Sequence, residues 1–352
     1  MELWQLSMSK EATSERDFTF STLVIGLERI FEVYKRGETS PPVMPVMAPA
    51  ISLNTLLHTN IHMSRVVGKG EDSSTASSRG LSGRPPLEKV RGKGRSMYDD
   101  ANTVKKTFDQ EFLSEYLRQA QWAEMIELKK AINEISRRKG GQIAILDIGI
   151  GNARIPKHLS GIKEIWDMVG SYDGIDNAEN CIGISNVVVS EMGLGDKVSV
   201  KQMDAANLSQ LRKKYDLVIV TWFTAGNFYP DDFPFEGYGK GSERYDLGRN
   251  AKFEKVFGLA YKHLNPGGEI IIGSAYIDND STRKKQEDFY RKCGMTVITG
   301  PEDSFTATVE RFWSQRFTEE RMKKYLYFVP QENISFIALD TYEFAMMVRI
   351  RK

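Results

Sequence analysis

Three aspartates and two glycines fall where they could hold a nucleotide. Asp147-Ile148-Gly149-Ile150-Gly151 follows the apolar run Ile143 to Leu146 and precedes a helical stretch, Ile155 to Leu159 and beyond. A strand feeding a glycine-rich turn and then a helix brings bare backbone close to a ligand. Gly149 and Gly151 lack Cβ, so the turn can tighten and a ligand can lie against the peptide. Asp176 ends the next expected strand, near Tyr172 to Ile175. A carboxylate there can accept hydrogen bonds from both hydroxyls of a ribose. Asp204 follows a third run, Val198 to Gln202, and could hold the exocyclic amine of an adenine, because a charged acceptor makes a strong directional bond. Taken singly, each acid fits a loop or helix cap as well as a ligand contact. Their order along the chain carries the assignment.

Such residues need a parallel sheet to bring them together. After Lys139-Gly140-Gly141 the pattern alternates strand and helix, as a parallel α/β sheet requires. A helix is expected around Leu208 to Lys213, a fourth strand over Asp216 to Val220 and a helix over Phe253 to His263. The turn Asn265-Pro266-Gly267-Gly268 leads into a fifth strand, Glu269 to Gly273. Helices over Gln286 to Cys293 and Thr318 to Leu326, and strands over Gly294 to Ile298 and Tyr342 to Ile350, complete the pattern. The distance from the glycines to Asp176 exceeds the usual twenty or so residues, which places extra length around Lys163 to Gly170.

The ordered series resembles the class I S-adenosylmethionine (SAM)-dependent methyltransferases. The match comprises Leu146 to Gly151, Gly174-Ile175-Asp176, Met203-Asp204-Ala205, Tyr215 to Val218 and Leu264 to Gly268, over about two-thirds of the chain. The resemblance implies an α/β fold: a seven-stranded, mostly parallel Rossmann-like sheet with helices on both faces, closed by an antiparallel pair, plus a helical N-terminal extension. It implies SAM as cofactor, with Asp147, Gly149, Gly151, Asp176, Asn177, Asp204, Ala205 and Thr221 around it. Ala153 stands at the family's third glycine position, where a small residue still allows helix packing. A dinucleotide-binding dehydrogenase fits less well, because the residue three past Gly151 is Arg154 and Asp147 would face a diphosphate.

Ligands of open α/β sheets bind beyond the carboxyl ends of the strands. The long segment after the fourth strand begins Thr221-Trp222-Phe223-Thr224-Ala225-Gly226-Asn227-Phe228-Tyr229 and continues to about Gly248. Its Tyr229, Phe233, Phe235, Tyr238 and Tyr245 could line an apolar cavity or anchor a surface loop. Thr224 to Phe228 and Tyr276 to Asp280 resemble the histidine-specific, small-amine branch of the family, which makes Asn227 a candidate substrate contact, with Phe223 and Tyr229 beside it. Tyr98, Tyr116, Arg118 and Trp122 are candidate gate residues, although core packing suits Trp122 better. A general base is needed only for a nucleophile protonated at neutral pH. His263, Asp231, Asp232 and Glu236 are the candidates, His263 also fitting a helix C-cap, and no catalytic residue is assigned.

The 352 residues are 41% hydrophobic and 27% charged with a formal net charge of +1, so any pull toward nucleic acid must be local. Two cysteines and four histidines show no zinc-site spacing, and no metal is expected. No apolar run approaches the roughly 18 residues of a membrane span, and the acid-bearing N-terminus is unlike a targeting peptide, so no membrane association and a cytoplasmic location are expected. Residues 1–96 read as an extension with one amphipathic helix, Ser21 to Lys35, and a basic, disordered segment, Gly70 to Gly94. Residues 97–140 read as a helical cap and 141–352 as the catalytic domain. Neutral charge and the aromatic loop favour a small-molecule acceptor with an amine or hydroxyl. An RNA or protein substrate held by the basic arm, and a non-catalytic SAM-binding scaffold, are the alternatives. No feature assigns an oligomeric state.

Overall fold

The computed structural model describes residues 98, 100–108, 113–239, 244–339 and 344–352. The helix expected at Ser21 to Lys35 and the basic segment Gly70 to Gly94 lie outside the described residues. Two helices lead into the sheet, α1 (Ala101–Phe108) and α2 (Glu115–Lys139). Leu117, Leu128, Ile132 and Ile135 recur at helical spacing and are buried, so one stripe of α2 packs on the sheet. α2 ends where Gly140 takes a left-handed conformation (φ 73°), which glycine adopts without a Cβ clash.

The sheet then builds by alternation. β1 (Ile143–Ile148) is followed by α3 (Arg154–Ser160) and the short α4 (Lys163–Trp166), and β2 (Val169–Asp176) by α5 (Glu179–Glu191). α4 is the extra length the sequence placed ahead of β2. β3 (Val198–Gln202) and β4 (Tyr215–Val220) are joined by a 3-10 turn, Ala205–Gln210, instead of the helix expected over Leu208 to Lys213. Asp204 caps that turn, and Leu211 already returns to extended backbone. α6 (Ala251–His263), β5 (Leu264–Tyr276) and α7 (Asp280–Lys292) follow.

Beyond α7 the chain departs from expectation. Gly294 to Ile298 does not join the sheet; one isolated bridge links Val297 to Thr308 of a small hairpin formed by β6 (Phe305–Ala307) and β7 (Trp313–Gln315). After α8 (Glu319–Tyr325), the sheet is completed by β8 (Ile334–Ala338) and β9 (Ala345–Arg351). The antiparallel closure therefore pairs β9 with β8 and β5, not with 294–298. The order β3-β2-β1-β4-β5-β9-β8, parallel through β5 and antiparallel at β9, is the seven-stranded sheet of the class I methyltransferase fold.

Alternate residues of the central strands feed opposite layers, as the period of two demands. Ile145, Leu217 and Ile219 pack under α2, whereas Leu146, Val218 and Val220 pack against α6 and α8. At the strands' amino ends, Asp216 accepts from Lys139 Nζ (2.6 Å), the Ala144 amide (2.8 Å) and Asn265 (2.8 Å). The acid of the Tyr215 to Val218 motif is thus a structural staple. It also accounts for the Asn-Pro-Gly-Gly turn, since a Cβ on Gly268 would lie 2.9 Å from the Asp216 carbonyl oxygen.

Candidate functional site

β1 and β4 are neighbours, with β2 and β3 to one side and β5 to the other, so the connections leave their carboxyl ends in opposite directions. A crevice must open there, and a cleft does. Gly149, Gly151, Asp176, Asn177, Asp204, Ala205, Thr221, Asn227 and Tyr229 border it. Asp147 lies beneath it, 1% exposed, and Phe223 is not among the lining residues.

The floor is held by backbone. Gly149 N and Ile150 N donate to the Ile175 carbonyl at 2.8 and 3.0 Å, tying the glycine turn to the end of β2. Gly149 and Gly151 have φ of 79° and 61°, conformations that L side chains rarely adopt. Their missing Cβ atoms also matter sterically: one on Gly149 would lie 2.6 Å from Thr224 Cγ2, and one on Gly151 3.1 Å from the Phe108 ring. Gly174 makes room for Ile150 in the same way. Ala153 takes φ 55° ahead of α3, so the residue at the third glycine position adopts the conformation that glycine would favour.

Each acid is aimed by local donors. Asp176 accepts from the Gly151 amide (3.1 Å) and the Ala178 amide (3.0 Å), which orient its carboxylate beside the turn. Burial raises its pKa, and those amides oppose the rise. Asp204 accepts from the Ala206 amide at 2.8 Å, so it is a cap as well as a cleft residue. Asp147 accepts from the Tyr172 hydroxyl at 2.6 Å through Oδ2, while its buried Oδ1 has no partner. Burial pushes the Asp147 carboxyl up to about 7, against the opposing bond from Tyr172 and the charge of Arg154. A buried carboxylate oxygen without a partner is uncommon in a folded protein, and this one lies under the glycine turn, in a residue that does not itself border the cleft.

The structure separates the other candidates. Phe223 stacks on Tyr276 at 3.7 Å between centroids and belongs to the core under α2. Phe233, Phe235, Tyr238 and Tyr245 pack with Phe305 and Trp313 into a separate small core, and of the five aromatics named for the cavity Tyr229 alone borders the cleft, together with Trp222 and Phe228 earlier in the segment. Tyr98 borders the cleft and receives the Asn227 amide at 3.2 Å. Tyr116 instead packs edge-on against Phe344, Arg118 pairs with Glu115, and Trp122 is 47% exposed, outside the core that its size suggested. His263 Nδ1 lies 3.0 Å from the Lys213 carbonyl. Asp231 pairs with Lys252, Asp232 accepts from the Tyr245 hydroxyl, and Glu236 pairs with Arg311. None of those four base candidates is among the residues bordering the cleft.

Several positions that shape or border the cleft escaped sequence reading. Glu124 of α2 is fully buried and accepts from the Trp222 amide (2.9 Å), the Ser274 amide (2.6 Å), the Ser274 hydroxyl (2.8 Å) and Arg154 (2.5 Å). It thereby fixes the left-handed pair Trp222 and Phe223 (φ 51° and 60°) that turns the chain after β4. Arg154, Lys252, Arg311, Phe312 and Trp313 also border the cleft. A lone glutamate mid-helix carries no pattern that marks it. Arg154 alone sat beside a recognisable motif. Among the described residues no group of three or more His, Cys, Asp or Glu side chains could hold a metal ion, and no helix is long and apolar enough to cross a membrane.

No protein-family profile and no curated protein matches the sequence. Solved structures to which the chain is similar include several methyltransferases. The N-methyltransferase NodS from Bradyrhizobium japonicum WM9, in complex with S-adenosyl-L-homocysteine, is 14% identical, covering 64% of this chain and 86% of that one at a TM-score of 0.37. The SAM-bound amino pentose methyltransferase CalS10 from Micromonospora echinaspora is 10% identical, covering 65% and 92%, TM-score 0.39. Magnesium protoporphyrin IX methyltransferase from Synechocystis PCC 6803 with bound SAH is 11% identical, covering 71% and 93%, TM-score 0.41.

Proposed function

We propose that the protein is a SAM-dependent methyltransferase acting on a small molecule with an amine or hydroxyl acceptor. The observation that carries this reading is the convergence of Gly149, Gly151, Asp176 and Asp204 on one cleft at the carboxyl ends of β1 to β3, with the orphaned Asp147 oxygen beneath them. These residues fit the cofactor: Asp147 and the glycine turn its amino-acid end, Asp176 and Asn177 its ribose, Asp204 and Ala205 its adenine. When bound, SAM supplies an electrophilic methyl on a sulfonium, a leaving group that needs no protonation.

The chain's own part is then to hold, orient and enclose. The amides of Gly151 and Ala178 fix the Asp176 carboxylate, and α1 places Phe108 over Gly151. Asn227 and Tyr98, hydrogen-bonded to one another, wall the acceptor end together with Phe312 and Trp313. Alignment of reacting atoms in such an enclosure supplies rate without a general base. An acceptor nitrogen or oxygen in that enclosure would pass its proton to solvent. The aromatic walls, with Tyr98 and Phe312 bordering the cleft, support a small acceptor.

Calorimetric titration of SAM and of S-adenosylhomocysteine into the full-length protein tests the reading. Binding is expected, weakened about 100-fold or more by Asp176→Ala because charged hydrogen bonds are lost. A folded wild-type protein that binds neither compound overturns it.

A further inference from the structure

We infer that the methyl acceptor carries a carboxylate, held by Arg311, on a flat apolar body seated against Phe312. The inference rests on the methyltransferase reading of the preceding subsection and narrows its substrate class.

Three cations border the cleft, and their partners decide which is available. Arg154 is bound by the buried Glu124 at 2.5 Å. Lys252 lies between Asp231 (3.4 Å) and Asp204 (3.9 Å), at the end of the cleft assigned to the adenine. Arg311 has its carboxylate partner, Glu236, at 3.7 Å, with the Glu236 side chain 90% exposed, and its guanidinium lies 5.3 Å over the Phe235 ring, a contact that leaves its hydrogen-bond donors free to turn to a ligand. A loose, solvated pair of this kind contributes little and exchanges readily for a better ligand. Arg311 is therefore the cation with charge to give.

Its backbone points the same way. Arg311 holds φ 60° in the turn of the β6–β7 hairpin, where its amide donates to the Thr308 carbonyl at 3.0 Å. A long side chain in the left-handed region costs roughly 1 kcal/mol or more, and glycine would avoid that cost. The hairpin that accepts this strain also delivers the next two residues, Phe312 and Trp313, to the cleft. Phe312 meets Tyr98 edge-on at 6.2 Å, and Trp313 has a buried indole N–H without a partner.

The charge balance selects the ligand. A guanidinium fork matches a planar carboxylate with two parallel bonds. One available cation neutralises one negative charge, which a carboxylate brings and a phosphate dianion exceeds. A cationic amine without an acid would meet Arg311 and the cofactor's sulfonium, both positive.

The test uses full-length protein saturated with S-adenosylhomocysteine. Three probes of one shape are titrated by calorimetry at constant ionic strength: 4-hydroxybenzoate, 4-hydroxybenzamide and 4-hydroxybenzylamine. The carboxylate is expected to bind at least about tenfold more tightly than the other two. Arg311→Gln should erase that preference and leave S-adenosylhomocysteine affinity unchanged. Arg311→Gly should do the same while relieving the left-handed backbone, so the result does not hang on one variant's folding. Equal or tighter binding of the amide or the amine, no binding of the carboxylate, or a preference that survives both variants overturns the inference. Failure of S-adenosylhomocysteine itself to bind brings down the methyltransferase reading as well, and so is told apart from failure of the acceptor assignment alone.

Discussion

The floor of the cleft and its acceptor wall are built by different means. The floor is local: the bond from the Gly151 amide to Asp176 spans 25 residues and joins adjacent strand ends. Backbone conformation, missing Cβ atoms and short acids make it, so a few residue types at fixed spacing specify it. The wall is assembled over long range: the bond from Asn227 to Tyr98 spans 129 residues, and the hairpin bearing Phe312 and Trp313 comes from the far end of the chain. Large side chains make it: Trp313 belongs to a separate small core around Phe233 and Phe305, whereas Phe312 and Tyr98 pack with the core under α2. The difference implies that the hairpin part of the wall can vary independently of the floor. On the proposed function, the floor would answer to a cofactor and the wall to an acceptor.

Five variants or conditions would break or sharpen that division. The largest effect is expected from Glu124→Ala, which leaves Arg154 unpaired and frees the Trp222 and Ser274 amides. Loss of a buried ionic partner costs about 3–5 kcal/mol, which chemical denaturation would read as a lower midpoint. Trp313→Ala should cost about 3 kcal/mol, as large-to-small core changes do. If the halves are independent, S-adenosylhomocysteine affinity should stay within about twofold; a larger loss breaks the comparison. Gly149→Ala forces a Cβ within 2.6 Å of Thr224 at φ 79°. It should cost about 2 kcal/mol, and cofactor affinity should fall about 30-fold in calorimetry while carboxylate selectivity survives.

A pH series is fourth. Burial holds the free Asp147 carboxyl at about 7, and an ammonium prefers it ionised. Below pH 7 the proton must leave before the ligand binds, so affinity should strengthen by up to about tenfold per pH unit toward 7 and then level off. S-adenosylhomocysteine is the ligand for this series, since no sulfonium weakens its amine. An affinity flat from pH 5.5 to 8.5 separates Asp147 from the ligand. The smallest effect is Ala153→Gly, which relieves a left-handed alanine (φ 55°) and should raise stability by less than about 1 kcal/mol in thermal denaturation.

How much of this was legible follows from the same division. β1 and β4 were readable because buried parallel strands leave apolar runs, whereas the edge strand β3, largely exposed, was marked by the Asp204 that follows it. Gly149, Gly151 and Asp176 were readable because a local turn needs those types in that order. β8 was missed and 294–298 taken for a strand, since both are short mixed segments and only the partner decides which one pairs. Phe223 and Trp122 were misplaced for a related reason. A large aromatic in a promising loop or helix can face the core, the cleft or solvent, and neighbours distant in sequence choose. Arg311 was illegible because its meaning lies in a backbone conformation and in what its neighbours leave unpaired.

Glu124 bears on where the chain can be cut. Its carboxylate reaches from α2 to the ends of β4 and β5 and to the first residue of α3. A fragment starting at residue 141 would retain every motif in the sequence, yet the turn after β4 would lose its anchor and β5 a buried acceptor. Recombinant shortening and domain grafting should therefore begin ahead of Glu115, because the helix that reads as a preface is a structural member of the site.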